Sequence, residues 1–190
     1  MSEGLHIEHF EHAVPELVKS IRQGDADAFE VLYRMEYLNL VHFTDSYLKD
    51  TEKARDISQE SLMTLWENRR RLNPGGNIRA YLFTIARNKT LDELSRRIRF
   101  VPTEEAAQAL ALLEDHAVEE YIGELELRTL MEKVWRSLPE KIGNTFSMSR
   151  EDGLKNREIA QQEGVSEKAV EYRIKVALAR FKENLEKFLG

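Results

Sequence analysis

Between residues 156 and 182 the chain reads NREIAQQEGVSEKAVEYRIKVALARFK, and this stretch leaves few folds open. Ile159 and Ala160 give a first helix an apolar face, Gly164 can turn with positive φ, and Ser166 stands where an N-cap opens a second helix. Val170, Ile174, Ala177, Leu178 and Phe181 then recur at helical spacing. The pattern is that of a helix-turn-helix. It leaves Ser166, Glu167, Lys168, Glu171, Tyr172, Arg173 and Lys175 as candidates to meet base edges and phosphates in a major groove. Glu163, just before the turn glycine, stands where such units normally bury a leucine. Either the first helix ends early there or the carboxylate points out.

The rest of the chain is equally helical in character. Charged residues make up 33% and hydrophobic residues 42%, with only 9 Gly and 4 Pro, and no β-rich alternating run is present. The absence of cysteine excludes disulfides, thiolate zinc sites and cysteine nucleophiles, and fits a reducing compartment. No apolar run approaches a membrane span and no basic-then-apolar signal opens the chain, so a soluble, cytoplasmic protein is expected. The net charge of −6 argues against a nucleic-acid binder, but its distribution reverses that impression. Residues 69–99 hold nine Lys or Arg against two acids, whereas residues 100–127 hold eight acids and no Lys or Arg. Blocks of this kind point to separate surfaces for separate partners.

An N-terminal arm, residues 1–16, carries His6, His9 and His12. On a helix they would lie near one face, but this spacing is common and no supporting pattern accompanies it, so a solvated arm is expected and no metal or cofactor. From Leu17 the helical period is clear. Asp25 caps a helix with an apolar stripe through Phe29, Leu32, Tyr33, Tyr37, Leu40, Val41 and Leu48. Asp50 and Thr51 open the next, with Ala54, Ile57, Ser61, Leu62, Leu65 and Trp66 facing inward and Arg55, Asp56, Gln59, Glu60 and Met63 elsewhere. Asn73-Pro74-Gly75-Gly76 is a stop. Residues 77–99 then form one helix with Ile78, Tyr81, Leu82, Ile85 and Ala86 inside and Arg79, Phe83, Arg87, Asn88, Asp92 and Arg96 outside. Cations to track phosphates, a ring to stack on and an amide to bond an unpaired base are what single-stranded DNA demands. An acidic linker with some helical content follows, and a second domain opens at Leu127, Leu130, Met131, Val134 and Leu138, with Pro139 just inside the start of the next helix.

These segments resemble one family. Asp25-Ala26-Asp27-Ala28-Phe29 with Leu32-Tyr33, then Asp56-Ile57-Ser58-Gln59-Glu60 with Leu65-Trp66, then Tyr81 to Asn88 with Asp92, are similar to the second conserved region of bacterial sigma factors. Leu138-Pro139-Glu140-Lys141, Gly153-Leu154 and Glu158-Ile159-Ala160 with Ser166 and Val170 resemble the fourth region. The order and the acidic linker are those of the small extracytoplasmic-function (ECF) group of the sigma-70 family, which keeps these two regions. The resemblance implies that the helix bearing Asp56, Gln59, Glu60, Met63 and Trp66 docks on the clamp helices of the largest RNA polymerase subunit, with the polymerase flap a further contact. It implies that Arg79, Phe83, Arg87, Asn88, Asp92 and Arg96 open and read the −10 element. Ser166, Glu167, Lys168, Glu171, Tyr172, Arg173 and Lys175 would read the −35 element. An anti-sigma partner is expected as well. Relatives usually carry bulkier groups at Ser58, Ser61 and Leu62, which suggests a loosely packed polymerase-facing helix. Gly143 lies where arginine is common, inside a helix.

The expectation is therefore an all-α chain of two small helical domains: an arm over 1–16, a region 2-like domain over 17–99, an acidic linker over 100–124 and a region 4-like domain over 125–190. It would be a non-enzymatic initiation factor that binds core polymerase and promoter DNA. The alternative is a helix-turn-helix repressor or activator that binds duplex DNA without polymerase.

Overall fold

The computed structural model describes residues 10–100, 103–113 and 116–189, and all regular structure there is helical. The elements are α1 (Phe10–Gln23), α2 (Ala26–Leu48), α3 (Thr51–Glu67), a short 3-10 turn (Arg69–Arg71), α4 (Ile78–Phe100), α5 (Glu104–Leu112), α6 (Ala117–Ser137), α7 (Glu140–Arg150), α8 (Asn156–Glu163) and α9 (Glu167–Leu189). The chain divides into two compact units, Met1–Ile122 and Gly123–Gly190. The expected solvated arm is helical from Phe10, because α1 begins there; His6 and His9 lie outside the described residues, as does the side chain of His12.

In the first unit the helix starts are written in short polar side chains. Asp25 accepts from the N–H groups of Asp27 and Ala28, and Asp50 from that of Lys53. Both satisfy donors that an uncapped helix leaves open. Asn77 does the same for Ala80 at the start of α4. Val18 and Ile21 of α1, Leu32, Leu40 and Phe43 of α2, Ile57, Leu62 and Leu65 of α3, and Leu82, Phe83 and Leu94 of α4 are withdrawn from water and form the core. Burying each such side chain contributes about 1.5–3 kcal/mol.

Ser58 and Ser61, expected to loosen the polymerase-facing helix, are fully buried. Their hydroxyls donate back to the carbonyls of Ala54 and Ile57 at 2.7 and 2.6 Å, so no polar group is stranded. They lie on the core side of α3, where small residues let neighbouring helices approach.

Part of the acidic segment is helical and contributes to the core of the first unit. Thr103 caps α5, and Ala106, Leu113, Ala117, Val118 and Ile122 are buried within the first unit. Tyr121 sets its ring 5.0 Å from Phe43 and 5.4 Å from Phe83, and its hydroxyl donates to the Asn39 carbonyl at 3.0 Å. The division between units falls inside α6, at Ile122 and Gly123.

The second unit has two apolar clusters. Leu138, Phe146 and Ala177 pack with Trp135, Ile142, Ile174 and Phe181. Ile159, Ala160 and Val170 pack with Met148, Leu154, Val165 and Ile174. Ile174 belongs to both and ties α9 to its neighbours. Leu178, expected inside, is 43% exposed, since Ala177 and Phe181 take the inner row. Gly164 ends α8 with φ 65°, its N–H bonded to the Ala160 carbonyl, as the turn required.

Candidate polymerase and promoter interfaces

On α3, Asp56, Gln59, Glu60 and Met63 are all exposed. With Thr64, Glu67 and Lys89 they line one open groove of about 400 Å³. Three carboxylates around an exposed thioether make a surface suited to a basic, partly apolar partner helix. Lys89 enters from α4, where its ammonium pairs with Glu60 at 3.2 Å. The sequence offered no signal for that contact, because it joins residues far apart in the chain. Trp66 stands apart from the groove. Its ring packs 4.9 Å from Phe29 and beneath the Arg69 guanidinium at 4.4 Å, so it braces α3 against α2 within the unit.

On α4 the two aromatic residues exchange the places expected of them. Phe83 is fully buried against Phe43 and Tyr121, and Tyr81 is 41% exposed. The ring available for stacking is therefore Tyr81. Arg79 also differs from expectation: it spans to α2 and pairs with the buried Glu36 at 2.7 Å. Arg87 is half-buried, donating to the Leu113 carbonyl at 3.0 Å from one guanidinium nitrogen. Asn88 and Asp92 are exposed, and Arg96 is exposed while paired with Glu93 at 2.8 Å. Tyr81, Asn88 and Asp92 thus share one solvent face of α4, whereas Arg79 and Phe83 serve the interior.

Arg97, next to Arg96, joins Glu93 at 3.1 Å and Asp50 at 2.7 Å. Burial pushes the Glu93 carboxyl up, but hydrogen bonds from Arg96 and Arg97 outweigh it and hold the group below its ordinary value. The Lys53 backbone N–H does most to lower Asp50; burial opposes it, and the Arg97 guanidinium helps to hold the carboxyl below its ordinary value.

In the second unit Ser166 caps α9, its hydroxyl accepting from the Ala169 N–H at 3.2 Å. Glu167, Lys168, Glu171, Tyr172 and Lys175 are exposed, Tyr172 by 67%. Arg173 is not among them. Its guanidinium turns inward to Glu163 at 2.7 Å, and the two side chains are 19% and 14% exposed. This resolves the place of Glu163: α8 runs its full length and the carboxylate points in, toward a cation supplied by α9.

Among the described residues no group of three or more His, Asp and Glu side chains converges as a metal site, and no helix is long and apolar enough to cross a membrane.

The family model described as Sigma-70 region 2 matches residues 32–100, and that described as Sigma-70, region 4 matches residues 128–181. Among curated proteins, none matches this chain in sequence. Solved structures similar to it include CnrH in complex with the cytosolic domain of CnrY, at 22% identity over 92% of this chain and 98% of that one, with a TM-score of 0.39. Another is the sigma factor RpoE of Bartonella quintana in complex with the anti-sigma factor NepR, at 20% identity over 83% and 96%, with a TM-score of 0.36. Superpositions at that level add nothing to the assignment, which rests on two regions of one family matched in their proper order. The chain belongs to the sigma-70 family of transcription initiation factors, in its extracytoplasmic-function group.

Proposed function

We propose that this sigma factor docks on the clamp helices of the largest polymerase subunit through Asp56, Gln59, Glu60 and Met63, and that the flap is a further contact. The observation that carries this is the shared groove: all four residues line it, on the exposed side of a helix whose opposite side is core. Their acidic character suits a basic docking helix, and the exposed Met63 supplies adaptable apolar contact.

The −10 element is captured on α4 by Tyr81, Asn88, Asp92, Arg96 and, once it leaves the Leu113 carbonyl, Arg87. Unpaired bases stack on the Tyr81 ring and meet the Asn88 amide, and the cations track the strand. No bond is made or broken. Promoter melting follows from tighter binding to the open strand than to the duplex, so binding energy offsets the cost of unstacking. The −35 element is read as duplex by α9, through Glu167, Lys168, Glu171, Tyr172 and Lys175, with Ser166 fixing the N-terminus of the helix. An anti-sigma protein that covers these faces would hold the factor inactive in the cytoplasm.

The test is capture of purified core polymerase, followed by transcription from genomic fragments in the same reaction. Stable capture with new promoter-specific transcripts is expected. Failure to bind core, together with tight binding of duplex DNA by the chain alone, would replace this reading with that of a conventional helix-turn-helix regulator.

A further inference from the structure

We infer that Glu163 and Arg173 act as a matched pair that fixes the seating of the −35 helix, so that Arg173 positions the reading face without touching bases. This rests on the assignment of α9 to the −35 element.

Glu163 is the last residue of α8, at the end where the helix dipole disfavours a carboxylate. The Arg173 guanidinium, 2.7 Å away on α9, supplies the compensating charge. A third helix closes the joint. Thr145 of α7 is fully buried, its hydroxyl lies 2.8 Å from the Lys141 carbonyl and 2.8 Å from Glu163 Oε2, and it accepts from Arg173 Nη1 at 3.1 Å. Three helices thus meet at a polar knot within a unit otherwise joined by apolar clusters. Apolar contacts tolerate small slips of one helix along another. A hydrogen-bonded charge pair is satisfied in one register and leaves a buried charge unpaired in any other.

The consequence reaches the exposed row. Glu167, Lys168, Glu171, Tyr172 and Lys175 are carried on the same helix, so the depth and tilt at which they enter the groove depend on the joint beneath. A base-reading arginine and a positioning arginine also predict opposite behaviour when Glu163 is removed. Freed from its carboxylate, a reader would gain access to DNA, whereas a positioning residue would become an unpaired cation that displaces its helix.

The experiment uses the full chain with core polymerase, on a promoter and a panel carrying single base-pair substitutions across its −35 element. A wild-type holoenzyme indifferent to every substitution would overturn the −35 assignment, and this inference with it; the remaining outcomes bear on the pair alone. Glu163→Leu and Arg173→Met are each expected to lower transcription from the parent promoter by about tenfold or more, with the double variant no worse than the poorer single. The order of preference across the substituted panel should persist in Arg173→Met. The reversed pair, E163R with R173E, should regain transcription to within about threefold of wild type. Circular dichroism follows the fold of each variant, and the reversed pair keeps the test decisive where a single variant unfolds. Relaxed preference at one base pair in Arg173→Met, with transcription unchanged or raised in Glu163→Leu, would overturn the inference and make Arg173 a base reader. So would a reversed pair that folds yet stays as inactive as the singles.

Discussion

Arg79, in the first turn of α4, reaches the carboxylate of Glu36 on α2 at 2.7 Å, and Glu36 is only 2% exposed. Asn39 adds a weaker amide contact to the same carboxylate at 3.3 Å. The pair bolts α4 to the core at the end where the Asn73 turn delivers it. Removing the guanidinium leaves a buried charge with little compensation, which costs about 3–5 kcal/mol in sites of this kind. Arg79→Ala is therefore expected to lower the unfolding free energy of the first unit by about 2–4 kcal/mol in denaturant titrations, the reduction reflecting the partly exposed guanidinium. A variant as stable as wild type, but defective in promoter opening, would return Arg79 to the DNA-contacting set.

Tyr81 and Phe83 separate binding from folding. Phe83→Ala removes a ring from the core and should destabilise the chain by about 3–5 kcal/mol. Tyr81→Ala removes an exposed ring and should change stability by no more than about 0.5 kcal/mol. In open-complex assays Tyr81→Ala should weaken capture of the melted strand by about 1–3 kcal/mol, the usual worth of stacking one base. Permanganate footprinting of the −10 region reads this directly. Unchanged reactivity in a folded Tyr81→Ala holoenzyme would remove the ring from the site.

The exchange of those two rings shows what periodicity holds and what it loses. The row through Ile78, Leu82 and Ala86 was legible, and it is buried. Its flank was ambiguous, since one side offers Tyr81 and Ile85 and the other Phe83. The phase was available further along the helix. Positions 81, 88 and 92 share a face that ends in Asn88 and Asp92, whereas 83, 90 and 94 share one that ends in Leu94, so the polar residues mark the first as solvent. Glu163 was legible as an anomaly but its partner was not, because an ion pair across a turn depends on how two helices cross. The same holds for Lys89 beside Glu60, and for Tyr121 against Phe43 and Phe83. Caps and stops were easier: Asp25, Asp50, Gly164 and Ser166 act within three or four residues of themselves, where sequence and structure carry the same information.

The cluster of Asp50, Glu93 and Arg97 gives the first unit a defined response to acid. Both carboxyls are held below their ordinary values when folded, so the folded state binds fewer protons than the unfolded chain. Their stabilising contribution is complete above the ordinary carboxylate range, about pH 4, and is lost as pH falls through the lower folded values. Replacing Arg97 by Met raises those values toward the unfolded ones. The difference in unfolding free energy between wild type and Arg97→Met should be largest near neutral pH, shrink through the acid limb and vanish below the folded values. A difference that stays constant with pH would mean that Arg97 acts through packing of its stem alone.

Gly143, at the end of the first turn of α7, offers a gain. Its φ is not positive, so the backbone makes no demand for glycine there. A Cβ added to it would meet the Leu138 Cβ at 4.0 Å, an ordinary contact. Glycine in a helix interior is less favourable than alanine by about 1 kcal/mol, chiefly because the unfolded chain loses more freedom on folding. Gly143→Ala should therefore stabilise the second unit by about 0.5–1 kcal/mol. The site lies beside the cluster of Leu138 and Phe146, away from the exposed row of α9, so −35 preference should not change. Thermal unfolding read alongside transcription from the −35 panel checks both statements. A loss of stability would mean that α7 approaches a neighbour there more closely than 4.0 Å allows, and altered preference with stability raised would show that α7 helps to set the position of α9.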